Sequence, residues 1–324
     1  MKKVLFALLC AGLYERNFAQ FPALSLPQWK ALVSMARRQT VTGLLYRGVT
    51  HLPQGYPLPE EILLELAAEA GRLERQSLKM NAVAERLTAR FASEGLHPVI
   101  MKGPEAARFY PCPLLRECGD LDLYFAPSEI DQVLQVAGPA EKAPDGSFHF
   151  KEDGIDIDVH RDYFSLHSRH LPAVPSPEAT LLMLSAHVLQ HAMGPGIGLR
   201  QLCDVAMAYK ALAVDPSHLR EVFRDAGLER WNRLLFSFLH THLGAAPLYE
   251  ELPSPEPLEE IVLGGGNFGH YAASRSAALS RSAFRRKLDT AGRYLSRLPF
   301  SLKYAPREVL PAVGRLLAGN LRKH

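Results

Sequence analysis

Four aspartates and a histidine in two short alternating segments are the residues of this 324-residue chain best suited to chemistry. In Gly119-Asp-Leu-Asp-Leu-Tyr-Phe125 the apolar Leu121, Leu123 and Phe125 alternate with Asp120, Asp122 and Tyr124, the period of a half-buried strand. Asp120 and Asp122 then project from one face, about 7 Å apart along the strand. Ile155 to His160 repeats the pattern, with Ile155, Ile157 and Val159 on one side and Asp156, Asp158 and His160 on the other. If the two strands are neighbours, three or four carboxylates converge. Carboxylates facing one another repel and lose hydration unless a cation joins them. A divalent metal resolves that conflict, and hard oxygen donors favour Mg²⁺ or Mn²⁺ over zinc.

The elements that must position these residues can also be read. Pro98 to Lys102 is a compact apolar run stopped by Gly103-Pro104, which predicts a short buried strand followed by a helix with Pro104 in its first turn. Backbone N–H groups at Gly103 would then suit a phosphate. Asp145-Gly146 precedes Phe148-His-Phe150, and Asp153-Gly154 joins that segment to Ile155 as a hairpin. Asp158 is the first choice for a third carboxylate, with Asp156 on the same face in reserve. Residues 1–96 read as helical and are expected to pack on the sheet: Ser25 caps a helix with Pro27 in its first turn, Glu60-Glu61 opens another, and helical patterning resumes from Ala82 toward Gly95. From Ser176-Pro177 onward the pattern is helical again, with a break at Gly227. His187 and His191 lie at i and i+4, but Val188 stands where a metalloprotease helix needs glutamate, so a packed histidine pair is expected. Arg200 and Asp204, also four apart, read as an ion pair.

Several ordered motifs resemble those of the polymerase-β-type nucleotidyltransferase superfamily, and most closely its branch of bacterial uncharacterised nucleotidyltransferases. They are Lys102-Gly103, Arg116-Glu-Cys-Gly-Asp120-Leu-Asp122, the strand Ile155 to His160, the pair His187 and His191, Leu199-Arg-Gln-Leu-Cys-Asp204, and Gly265-Gly-Asn-Phe-Gly269. The resemblance spans most of the chain. It implies an α+β fold in which a small mixed β-sheet core (97–172) is embedded between helical N-terminal (1–96) and C-terminal (173–324) regions. It implies an enzyme moving a nucleoside monophosphate from an NTP, ATP by default, to an acceptor with release of pyrophosphate, dependent on Mg²⁺ or Mn²⁺. Asp120, Asp122 and Asp158 would be the metal-binding catalytic carboxylates; Lys102, Gly103, Arg116 and Gly119 would border the nucleotide; Asp156, His160, His187 and His191 are further candidates. The superfamily usually carries Gly-Ser or Gly-Gly where this chain has Gly103-Pro104, so Lys102 is either a cation near the triphosphate or a strand-end lysine in solvent. Arg116 either meets phosphate oxygens with its fork of donors or pairs with the same aspartates. A nucleotide-binding relative without turnover and a carboxylate–metal phosphodiesterase are the alternative functions.

Composition narrows the rest. Charged residues at 22% and hydrophobic ones at 47% are those of a soluble globular protein. Residues 270–324 hold twelve Lys/Arg against two acids, a net +10, so the remainder carries −7 of the total +3. Such a tail can face a polyanion, but its few interleaved aromatics and its leucines favour packing, which makes a protein, peptide or small-molecule acceptor a better expectation than RNA. The four cysteines form no Cys-x-x-Cys pair, which suits free thiols in a reducing cytoplasm. Val4 to Leu13 is too short to span a bilayer and reads as a core helix, so no membrane partner is expected. Gly264 to Gly269 lacks the Lys-Ser/Thr of a P-loop.

Overall fold

The computed structural model describes residues 1–265 apart from 144, 145, 169 and 195, together with 292 and 295–309. Four helices open the chain: α1 (Lys2–Tyr14), α2 (Leu26–Arg38), α3 (Thr42–Val49) and α4 (Glu60–Ser93). The α+β core follows, with β1 (Val99–Ile100), the single turn α5 (Pro104–Ala107), β2 (Asp120–Tyr124), α6 (Ile130–Ala137), β3 (Glu141–Lys142), β4 (Phe148–Glu152) and β5 (Ile155–His160). Helices resume with α7 (Pro177–Met193), α8 (Leu199–Leu212), α9 (Pro216–Asp225), α10 (Glu229–Leu243), α11 (Glu256–Gly265) and α12 (Leu298–Tyr304).

Local chemistry explains these boundaries. Ser25 and Gln28 form a capping box at the start of α2, where Gln28 Oε1 accepts from the Ser25 N–H at 2.8 Å. Ser176 Oγ accepts the Ala179 N–H at 3.0 Å to cap α7. The helical signals expected in two stretches between residues 57 and 95 belong to one 34-residue helix, α4. Its buried positions, Ile62, Leu66, Ala70, Leu73, Ser77, Met80, Ala84, Leu87 and Phe91, step by three or four, with Val83 buried beside Ala84, so a single face stays inward. Gly227, at φ 76°, ends α9: its N–H bonds to Arg224 O while the Leu228 N–H bonds to Phe223 O, the paired closure that left-handed glycine permits.

The sheet order is β1-β2-β5-β4-β3. β2 and β5 run parallel, whereas the other pairings are antiparallel, so the sheet is mixed as expected. Asp153 and Gly154 both have positive φ, which fits the two-residue turn between β4 and β5. The alternation in β2 and β5 sorts the sheet into two faces. Leu121, Leu123, Ile155, Ile157 and Val159 bury against Met80, Val83, Leu87 and Phe91 of α4 and Ile130 and Val133 of α6. The other face carries the aspartates. Of the N-terminal region the second half of α4 and Leu96 join this core; Leu5, Leu8, Leu9, Trp29, Ile62 and Leu66 belong to a larger apolar cluster with Leu202, Trp231 and Phe238 of α8 and α10. α1 is therefore a core helix, as its sequence suggests. No helix among the described residues is long and apolar enough to cross a membrane.

Close backbone contact seals α1 against α3. A Cβ at Gly48 would lie 2.1 Å from Leu8 O, a backbone atom that cannot step aside. Gly71 on α4 offers the opposite case, with only the Arg75 side chain at 3.5 Å. Gly48→Ala should therefore lower the unfolding free energy by about 1–3 kcal/mol, whereas Gly71→Ala should raise it by roughly 0.5–1 kcal/mol. Urea denaturation of the two variants beside the wild type checks both signs.

Candidate metal and nucleotide site

Parallel pairing in register places Asp120 beside Asp156, Asp122 beside Asp158 and Tyr124 beside His160. In a parallel pair, partners in register share a face, so the two alternating segments merge into one polar surface. β4 adds His149 opposite Asp158 and Lys151 opposite Asp156. Each aspartate then meets a different environment.

Asp122 is buried, 4% exposed. Its Oδ1 receives the Lys102 ammonium at 2.9 Å and His160 Nε2 at 2.7 Å. Burial alone would push its carboxyl up, but the charge of Lys102 and the hydrogen bond from His160 outweigh it and hold the group well below the usual carboxylate range. Asp120 sits at the exposed start of β2, and among the described residues its carboxylate has no ion pair. Partial desolvation, then the neighbouring charge of Asp122, raises its pKa. Asp158 accepts a hydrogen bond from His149 Nδ1 on Oδ1. Asp156 is exposed and pairs with Lys151 at 2.8 Å. Ligand atoms from Asp122, Asp158 and His160 lie within 4.8 Å of one another. Two carboxylates and an imidazole at that spacing, with Asp120 close by on the same face, suit a divalent cation.

The loop leading into β2 is held from two sides. Arg116 is buried, and its Nε and Nη2 grip Asp204 of α8 at 3.0 and 2.5 Å while Nη1 donates to Glu117 O at 3.1 Å. Burial works against the guanidinium charge, but the carboxylate of Asp204 keeps its pKa well above the ordinary value. Tyr110 OH donates to Asp204 Oδ1 at 2.6 Å. From α4, Gln76 Nε2 donates to Cys118 O at 2.8 Å. Two sequence expectations are corrected here. Arg116 pairs with Asp204 and not with the aspartates of β2, and Asp204, expected as the partner of Arg200, accepts its hydrogen bonds from Arg116 and Tyr110. Arg200 instead donates to Glu117 O at 2.7 Å, so α8 holds the loop through one carboxylate, Asp204, and one guanidinium, Arg200.

A narrow cleft is lined by Asp120 and Asp122 together with Lys102, Gly103, Arg116, His187 of α7, and Arg200, Gln201 and Asp204 of α8. Lys102 is therefore inside the site, bonded to Asp122, and the solvent reading is set aside. Gly103 takes φ 59°, and its position 3.1 Å from Asp120 O, measured from a Cβ it lacks, lets the β1 exit pass close to β2. Gly119 is exposed at the loop's end. His187 and His191 pack edge to face, with ring centroids 4.5 Å apart, as a pair within one helix. Burial, then the positive charge of Lys102, lowers both, His187 well below its ordinary value and His191 to about 4. They are neutral rings, and neither belongs to the carboxylate cluster.

His149 and Tyr110 were not singled out by the sequence. The alternation of Phe148, His149, Phe150 and Lys151 could have placed His149 on the polar face, but only the register with β5 puts it against Asp158. Gly266 to Gly269 and most of the basic tail lie outside the described residues; within 295–309, Arg297 donates to Ala192 O at the end of α7 at 2.8 Å. All four cysteines are free thiols.

A small mixed sheet bearing clustered aspartates on one face, with helices before and after it in the chain, is consistent with an α+β nucleotidyltransferase-type core. The chain belongs to the family described as uncharacterised nucleotidyltransferase, whose profile matches residues 25–244. No curated protein and no solved structure matches it.

Two outcomes follow from the buried charges. Asp204→Ala strands Arg116 without its counter-charge and should cost about 3–5 kcal/mol of stability, read by urea denaturation. His191 in the folded protein stays neutral down to about pH 4, whereas its ordinary value is 6.5. The unfolded chain thus binds more protons in that window, and stability falls as pH drops from 6.5 toward 4. His191→Gln should flatten this slope in a series of denaturation curves across the same range.

Proposed function

We propose that the protein transfers a nucleoside monophosphate from an NTP, ATP by default, to a protein, peptide or small-molecule acceptor in the cytoplasm, releasing pyrophosphate. The observation that carries this reading is the in-register meeting of Asp122 with Asp158 beneath a cleft lined by Lys102, Arg200 and His187. Nucleotidyl transfer asks little covalent chemistry of a protein and much alignment and charge neutralisation. The cleft supplies cations on one side and carboxylates on the other, which is the arrangement a polyanion held by a metal needs.

In this reading Asp122 and Asp158 hold Mg²⁺ or Mn²⁺, Asp120 joins from the open end of β2, and His160 either completes the donor set or orients Asp122. The bound metal supplies Lewis-acid stabilisation of the phosphoryl oxygens. Lys102 and Arg200 steady the phosphates from the helical wall. The neutral imidazole of His187 offers a hydrogen bond there without adding charge. Arg116 keeps the loop before β2 in place through Asp204 and also lines the cleft, where its charge adds to that of Lys102 and Arg200. Asp158, on β5 between β2 and β4, is partly exposed on the polar face of the sheet, where an acceptor hydroxyl can approach.

Incubation of the protein with cell extract, Mg²⁺ or Mn²⁺ and NTPs labelled at the α- or γ-phosphorus tests the reading directly. Label should pass to an acceptor from the α-position only; transfer from the γ-position would mean a kinase and sink the proposal. Asp120→Asn, Asp122→Asn and Asp158→Asn should each reduce transfer by at least about 100-fold. Asp156→Asn, which disturbs only an exposed pair with Lys151, should stay within about threefold of wild type, as expected of a surface ion pair.

A further inference from the structure

His149 of β4 and Ser147, just before that strand, stand behind the carboxylates, and the proposed chemistry does not use them. His149 Nδ1 bonds Asp158 Oδ1, and its Nε2 lies 3.1 Å from Ser147 Oγ. The hydrogens in this chain of contacts follow from the groups themselves. An ionised carboxylate only accepts, so Nδ1 carries an imidazole hydrogen; in the neutral ring Nε2 is then a lone-pair acceptor, and the Ser147 hydroxyl donates to it. Ser147 is buried, 4% exposed, while the His149 side chain is 41% exposed.

A serine, histidine and aspartate in this order invite comparison with a nucleophilic triad, but the serine is enclosed and the aspartate faces the cation site. The chain of bonds therefore runs toward Asp158, not toward an attacking hydroxyl. Ser147 fixes the tautomer and the ring plane of His149, and His149 in turn fixes one oxygen of Asp158. A carboxylate pinned at one oxygen cannot swing about its terminal bond, and its second oxygen keeps a set direction. Carboxylate ligands commonly depend on such outer partners. Asp122 has counterparts of its own in Lys102 and His160. Asp158 has only the β4 relay among the bonds to its carboxylate in the described residues.

We propose that Ser147 and His149 form a positioning relay that pre-orients Asp158 for a divalent cation shared with Asp122. This rests on the metal-dependent reading above. His149 and Ser147 are positioning residues: they act through Asp158 and need not touch nucleotide or acceptor.

Titration of the full-length protein with Mn²⁺, followed by calorimetry and by the EPR signal of the free ion, tests the relay without any turnover. His149→Ala should raise the Mn²⁺ dissociation constant by about 10–100-fold. His149→Asn, whose side-chain amide restores a donor near the position of Nδ1, should recover most of that loss. Ser147→Ala should weaken binding by a smaller factor, and thermal melts should show each variant folded. Wild-type Mn²⁺ affinity in His149→Ala overturns the relay, and so do equal losses in His149→Ala and His149→Asn, which would point to bulk and not to the donated hydrogen bond. If Asp158→Asn binds Mn²⁺ weakly while His149→Ala binds normally, the relay fails and the nucleotidyl-transfer reading stands. An unchanged affinity in Asp158→Asn removes both.

Discussion

The parallel pairing of β2 with β5 is the constraint on which the rest depends. Two strands separated by thirty residues bring Asp122 and Asp158 side by side, and no local feature of either strand could do so. A slip of one residue would turn every aspartate into the apolar core and every leucine, isoleucine and valine out of it. The core behind the sheet therefore enforces the site in front of it. Leu121, Leu123, Ile157 and Val159 are fully buried, and α4 and α6 supply the surface that holds them there.

Packing carboxylates together has an electrostatic cost, and the sheet offsets it residue by residue. Asp122, the most enclosed, has an ammonium and an imidazole on the same oxygen. Asp158 has His149, and Asp156, further toward solvent, has Lys151. Asp120 alone lacks such a partner among the described residues, and it is the carboxyl whose affinity for a proton rises. The gradient from a doubly compensated Asp122 to an uncompensated Asp120 gives the site a direction. A cation entering near Asp120 would meet a ligand that gains from its charge, beside ligands already oriented by bonds of their own.

Much of this arrangement was legible in the chain itself, because alternation and turn residues are local signals. The strands around Asp120 and Asp156, the Asp153-Gly154 hairpin, the caps at Ser25 and Ser176 and the break at Gly227 all follow from neighbours in sequence. The failures are long-range. Arg200 and Asp204 have ideal helical spacing, yet Asp204 bonds a guanidinium 88 residues away. Helical spacing worth a few tenths of a kcal/mol cannot compete with a buried, two-pronged contact that also satisfies Arg116. Likewise, the joining of α1 to α8 and α10 is fixed by apolar shape and not by any motif, so the expectation that residues 1–96 pack on the sheet is met only by the second half of α4 and Leu96.

α4 resolves that division physically. Its first half lies in the larger helical core through Ile62 and Leu66, and its second half lies under the sheet through Met80, Leu87 and Phe91. Between them, Gln76 and Ser77 bond the backbone carbonyls of Cys118 and Leu114, at the loop that ends in Asp120. α8 grips the same loop from the other side through Asp204 and Arg200. The loop before β2 is thus suspended between a helix from the N-terminal region and a helix from the C-terminal region. The helical surround is part of the site: it fixes where β2 begins, and with it where Asp120 and Asp122 meet β5.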